Sequence, residues 1–205
     1  MKFVLVRHGE TEWNKLGKFQ GQVDVALNAR GLFQAKETAQ ALVCWKPSVV
    51  YSSPLRRTMQ VAQEISRLSG MPVVGVDGFK ELKLGSLEGL TGEEMEFAWP
   101  ELLNAWRDDP ASVLMPSGES LGDLQDRVWN SLLELEQLHP GDANLVVVSH
   151  NFAIRAAIYK VLGVPLSNFH CMSLSLSSIS VIESDMQARR LIAHNSTCHL
   201  SLVNQ

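Results

Sequence analysis

The sequence predicts an α/β fold: three layers, α/β/α, with a mostly parallel central sheet, helices on both faces and a C-terminal β-hairpin. Short β-branched runs alternate with longer segments of helical period along most of the chain. Two of those runs, Phe3 to Val6 and Leu145 to Val148, are apolar throughout, the pattern of strands buried on both faces in a parallel sheet. No repeat, low-complexity tract or linker interrupts the 205 residues, so residues 1–205 are expected to form one domain.

In chain order, Phe3 to Val6 is the first strand. Leu32 to Val43, rich in Ala, Gln, Lys and Glu, is a helix, and Pro47 lies just past its end. Val49 to Tyr51 is a second buried strand, ended by Ser52-Ser53-Pro54, and Leu55 to Leu68 is a helix closed by Gly70. Val73 to Val76 is a third strand. From Gly85 to Ser120 the pattern is irregular, with short helices expected around Glu93 to Phe97 and Glu101 to Trp106 and a loop through Pro110, Pro116 and Gly118. Trp99 and Trp106 either cap a pocket or pack, and packing is the expectation. Ser120 followed by Asp123 opens a long helix to Leu138 as a variant capping box. After the strand at Leu145 to Val148 comes a helix from Phe152 to Leu162. Two last strands, Leu174 to Ile182 and Arg190 to His194, form a hairpin turning at Ser184 to Gln187.

Composition limits the function. Hydrophobic residues make up 45% and charged residues 20%, enough apolar material for a full core. The net charge of −4 gives no support to nucleic-acid binding, which normally shows a basic face. Cys44, Cys171 and Cys198 are distant and odd in number, without a CxxC pair, so neither a zinc ribbon nor a disulfide framework is expected. Such thiols fit a reducing compartment. Met1 runs directly into the first strand without a signal-peptide pattern, and no aliphatic run approaches the roughly 20 residues of a membrane span. A cytoplasmic protein without membrane or nucleic-acid partners is expected.

In parallel sheets, ligands bind beyond the carboxyl ends of the strands. Three polar clusters fall at such ends: Arg7-His8-Gly9-Glu10, Ser52 to Arg57, and Ser149-His150-Asn151. A phosphate dianion needs multi-donor cationic partners, and the planar fork of arginine fits its oxygens. Arg56 and Arg57 stand in the first turn of a helix, where the dipole disfavours cations by roughly 0.3–1 kcal/mol, so an anion or a nearby carboxylate is needed to offset it. Taken singly, Arg7 is equally a strand-end charge, His8 or His150 a structural histidine, and Glu81 a solvated loop carboxylate. Two histidines and two arginines at the mouths of three strands are harder to explain separately.

These residues carry a resemblance. Val6-Arg7-His8-Gly9-Glu10-Thr11-Glu12-Trp13-Asn14 resembles the RHGET-x-x-N signature of the histidine phosphatase (phosphoglycerate-mutase-like) superfamily. Ser53-Pro54-Leu55-Arg56-Arg57-Thr58 resembles its S-x-L-x-R-A/T segment and Val148-Ser149-His150 its second histidine motif. Order and spacing agree, with Glu81 ahead of Gly85-Ser86-Leu87-Glu88-Gly89 and a phosphate-facing loop at Phe19-Gln20-Gly21 and Leu27. The resemblance implies that His8 is the nucleophile, that Arg7 and Arg57 bind the non-bridging oxygens, and that His150 donates a further hydrogen bond. It implies Glu81 as general acid and then base, with Asn14 and the backbone near Gln20 and Gly21 completing the cup. Arg57 rather than Arg56 is in register. No metal and no cofactor are implied, the arginines supplying the positive charge.

A mutase of this type holds a doubly charged ligand with a basic cluster after the acid. From Glu88 to Glu119 the one cation here is Arg107, which favours a hydrolase. The expected partner is a small phosphorylated metabolite. Asn195-Ser196-Thr197-Cys198-His199-Leu200 and Tyr51 to Leu55 look like segments of the metal-independent phosphoserine phosphatases, making phosphoserine the leading expectation. Leu84 departs from that pattern, standing where those enzymes carry a substrate-binding histidine. α-Ribazole 5′-phosphate, sugar phosphates and phosphoglycerates stay open. Asn151, and Arg155 one turn into the helix after His150, are further candidates for substrate contact; Arg155 is equally a helix-surface arginine. A homodimer is expected on the weak ground that 174–182 could be an exposed edge strand.

Overall fold

The computed structural model describes residues 1–185 and 188–201. Its strands are β1 (Lys2–Arg7), β2 (Val49–Ser52), β3 (Val73–Gly75), β4 (Asn144–Ser149), β5 (Ile179–Ser184) and β6 (Arg189–Ser196), and its α-helices α1 (Glu12–Lys15), α2 (Ala29–Val43), α3 (Arg56–Ser69), α4 (Gly92–Ala98), α5 (Pro100–Asp108), α6 (Leu121–Leu138) and α7 (Asn151–Leu162). The strands form one sheet in the order β3-β2-β4-β1-β5-β6. β3, β2, β4 and β1 are mutually parallel, and β5 and β6 complete the sheet antiparallel as the expected hairpin.

Strand alternation divides the core into two halves. Phe3, Leu5, Tyr51, Leu145 and Val147 point to one face and are covered by α6 and α7. Val4, Val6, Val50, Val146 and Val148 point to the other and are covered by α2 and α3. Both faces are dry, which is why β1 and β4 read as continuous apolar runs.

The helices follow their caps. Asn28 accepts a hydrogen bond from the Gly31 N–H and starts α2 three residues earlier than the sequence suggested. Ser120 and Asp123 form the reciprocal capping box of α6. Gly70 ends α3 and Gly163 ends α7, each in the left-handed conformation. The four-residue α1 was not expected; Thr11 and Asn14 cap it reciprocally.

Two expectations are corrected. The stretch 174–182 is not one strand: residues 172–178 are irregular, Ser177 has φ of +56°, and β5 begins only at Ile179. The second correction follows from topology. β5 lies between β1 and β6, so 174–182 is no exposed edge and gives no ground for a dimer. The outer strands are β3 and β6, and β6 carries Arg189, Arg190 and His194, charge of the kind that blunts an edge. Of the expected hairpin turn, Met186 and Gln187 lie outside the described residues. Cys44, Cys171 and Cys198 are free and exposed. Among the described residues no helix is long and apolar enough to cross a membrane.

Candidate active site

Strand register assembles the site. In the parallel β1–β4 pair Arg7 stands opposite Ser149, so the residues that follow, His8 and His150, emerge side by side. The His8 N–H donates to the Ser149 carbonyl at 3.1 Å, and the two imidazole centroids are 5.3 Å apart. β2 pairs with β4 on the other side, and the Ser53 N–H donates to the Val148 carbonyl at 2.9 Å, which brings Ser53 and the start of α3 to the same mouth. Three neighbouring strands therefore deliver the three clusters to one place.

The His8 Nδ1 lies 2.7 Å from the Gly9 carbonyl oxygen. A carbonyl only accepts, so Nδ1 carries the proton and Nε2 keeps its lone pair. Burial, then Arg57 and Arg7, hold the His8 pKa well below its ordinary 6.5, so the ring is neutral. His150 is fully buried. Its Nδ1 accepts from the Arg57 Nε at 3.3 Å and its Nε2 lies 2.8 Å from the Ser53 Oγ. In this tautomer neither nitrogen is free to donate to a phosphate, in contrast to the expected role. Donation requires the proton on Nδ1, with the Arg57 Nε–H turned away from it and the Ser53 hydroxyl donating to Nε2.

Arg57 is also wholly buried. Its Nη1 donates to the Val23 carbonyl at 2.7 Å and its Nη2 to the Gly21 carbonyl at 2.8 Å, so the guanidinium fastens the 19–23 loop over the site. Arg7 donates through Nη1 to the Leu174 carbonyl, while its buried Nε has no partner among the described residues. Burial lowers both arginines to about 10, still cationic at neutral pH. Arg56 is exposed, as expected of a solvated neighbour.

Glu81 sits against the N-terminus of α7. Its carboxylate accepts from the Phe152 N–H at 3.1 Å, the Ala153 N–H at 3.3 Å and the Leu82 N–H at 2.9 Å. Burial is the largest influence and raises its pKa above the ordinary 4.5, against the pull of these donors and of Arg57 and Arg7.

A cleft of about 250 Å³ joins these groups, lined by Arg7, His8, Arg57 and Glu81 together with Asn14, Gln20, Gly21 and Asn151. Asn14 is oriented by its cap: Oδ1 accepts from the Thr11 N–H at 3.1 Å and the Thr11 hydroxyl at 2.9 Å, which leaves Nδ2 to donate. Gly21 has φ of +50°, and a Cβ there would lie 2.1 Å from the Glu88 Oε1, so the loop's close approach needs glycine. His150 is not in the cleft wall but directly behind it. Arg155 is not in the wall either. Its guanidinium stacks 3.9 Å from the Phe169 ring centroid and donates to the Phe169 carbonyl, which holds it outside the cleft lining.

Sequence reasoning did not single out Lys18 or Phe152, and it named Ser53 only as part of a motif, without a role. Lys18 and Phe152 line the cleft, and Ser53 orients His150. A loop lysine reads as a solvated charge and a helical phenylalanine as core, so neither carried a signal. Among the described residues no group of three or more His, Cys, Asp or Glu is placed to hold a metal ion.

With this geometry in view, comparison with known proteins is direct. A relative named phosphoserine phosphatase 1, from Hydrogenobacter thermophilus, is 38% identical over 98% of this chain and 94% of its own length. The structure of an Entamoeba histolytica phosphoserine phosphatase in complex with 3-phosphoglyceric acid superposes with a TM-score of 0.85 at 32% identity, covering 98% of this chain and 99% of that one. A mycobacterial glucosyl-3-phosphoglycerate phosphatase solved with VO3 gives a TM-score of 0.89 at 27% identity, covering 96% and 99%. The model of histidine phosphatase superfamily branch 1 matches residues 3–197, and the chain belongs to that superfamily as a phosphatase.

Proposed function

We propose that the protein hydrolyses a small phosphomonoester without a metal, through a phosphohistidine on His8. One observation carries this reading: the Gly9 carbonyl holds the His8 proton on Nδ1, leaving Nε2 unprotonated in a cleft walled by two arginines and a protonatable carboxyl. In the first step Nε2 attacks phosphorus, the P–O ester bond breaks, and Glu81 gives its proton to the leaving alkoxide. In the second, water attacks phosphorus, Glu81 takes a proton from it, and the P–N bond breaks to release phosphate. Arg7, Arg57 and the Asn14 Nδ2 stabilise the charge on the non-bridging oxygens throughout. His150, turned to its Nδ1–H tautomer and backed by Ser53, donates one more hydrogen bond.

Hydrolysis rather than mutase transfer is supported by the surface position of Arg107, whose guanidinium pairs with Glu96 at 3.2 Å instead of reaching the cleft. For the substrate, phosphoserine draws support from the phosphoserine-phosphatase relatives and from Lys18, a cation for the amino acid's carboxylate.

The test is acid-labile, base-stable labelling by radioactive phosphomonoester, quenched during turnover. Labelled protein is expected from the wild type and none from His8→Ala, with turnover insensitive to EDTA and blocked by vanadate. Label persisting in His8→Ala would refute the nucleophile.

A further inference from the structure

Beside the phosphate cleft lies a second cavity of about 60 Å³, whose lining is almost wholly apolar. The two share three residues, Phe19, Leu84 and Phe152, so this annexe adjoins the cleft. We infer that the annexe is a subsite for the leaving group, and that the preferred substrate is a phosphomonoester whose alcohol carries a short apolar arm. This rests on the phosphohistidine reading and goes beyond it.

Three features support it. Leu84 follows the acid by three residues, is 4% exposed, and forms part of the seam between the two cavities, where it gives a substrate's ammonium or carboxylate nothing to bond. The roof is α5, which turns Leu102, Leu103 and Trp106 toward the annexe and yet buries none of its residues fully. A helix that holds three large apolar side chains half-buried over an empty apolar space loses contacts that a well-packed core would make. An apolar group entering the annexe restores them. Finally, Met95 and Met115 also face it, and thioether side chains adapt readily to a ligand's shape.

The volume sets the arm's length. A cavity needs roughly 10–15 Å³ of this measure for each water-sized group. About 60 Å³ therefore holds about four to six carbon-sized groups. Phosphoserine fits the cleft but leaves the annexe unfilled, so it is turned over without being the best substrate.

The experiment compares kcat/KM for ethyl, n-propyl, n-butyl and n-hexyl phosphates and phosphoserine on the full-length protein. The alkyl esters have nearly equal leaving-group pKa values, so intrinsic reactivity is constant. kcat/KM should rise about fourfold per methylene, the ~0.8 kcal/mol of one buried CH₂, and level off between butyl and hexyl. Butyl phosphate should exceed phosphoserine. Leu103→Trp, which fills the annexe, and Leu84→Asn, which puts an amide at its seam, should each pull the butyl-to-ethyl ratio toward one. A flat wild-type series, with phosphoenzyme still formed on His8, would make the annexe a packing void and leave the phosphohistidine reading intact. An unchanged ratio in a folded Leu103→Trp protein would send the arm elsewhere and overturn the inference. Failure to hydrolyse any ester would remove the phosphohistidine reading itself.

Discussion

The proposed mechanism asks two tasks of one side chain, Glu81. An acid that protonates an alkoxide must hold its proton near neutral pH, and an ordinary carboxyl does not. Burial raises the pKa of Glu81, while three backbone N–H donors and the two arginines keep the carboxylate form accessible for the second step. Glu81→Gln is expected to lose about 10²- to 10⁴-fold in turnover on alkyl phosphates. On aryl phosphates, whose leaving groups need little protonation, the loss should be much smaller; equal losses would take Glu81 out of the acid role. The sign of the pH dependence follows from the same shift. The raised pKa keeps Glu81 protonated above 4.5, and phosphoryl transfer from alkyl esters should fall as pH rises through its folded value. The His8 pKa is lowered, so protonation of the nucleophile should limit the rate only well below pH 6.5. A single-turnover pH profile checks both limbs, and the alkaline one should vanish in Glu81→Gln. The grouping of Arg7, His8, Arg57 and Glu81 at the cleft, with His150 behind it, was legible in the sequence because these residues lie in motifs of fixed order. The place of Arg155 was not legible because helical spacing gives a direction and not a neighbour, and here Phe169 takes the guanidinium.

At the level of elements, the position of His8 depends on how the loop after β1 is pressed against the first turn of α2. The Asn28 N–H donates to the Glu10 carbonyl at 3.0 Å, the Asn28 side chain to the Glu10 carboxylate at 2.7 Å, and the Glu10 N–H to the Gln34 Oε1 at 2.9 Å. The contact is so close that a Cβ on Gly31 would lie 2.0 Å from the Glu10 carbonyl oxygen. Gly31→Ala should therefore shift the loop, costing about 2 kcal/mol or more in stability together with a fall in kcat. Gly122→Ala, in the first turn of α6 with no atom nearer than 3.5 Å to the new Cβ, should raise stability by about 0.4–1 kcal/mol with kcat unchanged. Denaturant melts with paired kinetics check this, and an innocuous Gly31→Ala would show that α2 does not position the loop. Elements were legible where burial made the pattern simple, as in β1, β4 and the capping box of α6. They were lost where it did not. Ser175, Ser177 and Ser178 break the approach to β5, whose irregular backbone instead serves β1: the Ser178 carbonyl accepts from the Arg7 N–H at 3.1 Å and the Ser177 N–H donates to the His8 carbonyl at 3.1 Å. α1 is too short to show a period, and only its cap residues reveal it.

On the scale of the whole molecule, the site is a cost that its ligand offsets. Two guanidinium groups are buried near one another, each lowered to about 10 by loss of water, with the Glu81 carboxyl as the first opposing influence on both. The sheet keeps them there because Arg7 ends a strand buried on both faces and Arg57 opens a helix packed on that sheet, so neither can withdraw to solvent without disrupting the core. An anion that binds the folded state and not the unfolded chain must then raise stability by mass action, about 2.7 kcal/mol at a hundred times its Kd. For a chain of 150–250 residues each kcal/mol shifts Tm by about 2–4 °C, so saturating vanadate or phosphate should raise Tm by about 5–10 °C. Chloride at equal ionic strength should not. In Arg57→Met the shift should largely vanish, and the ligand-free protein should itself melt below the wild type, because the Val23 and Gly21 carbonyls lose their buried donor. If vanadate left Tm unmoved in the wild type, or moved Arg57→Met just as far, the two arginines would not be holding one anion between them.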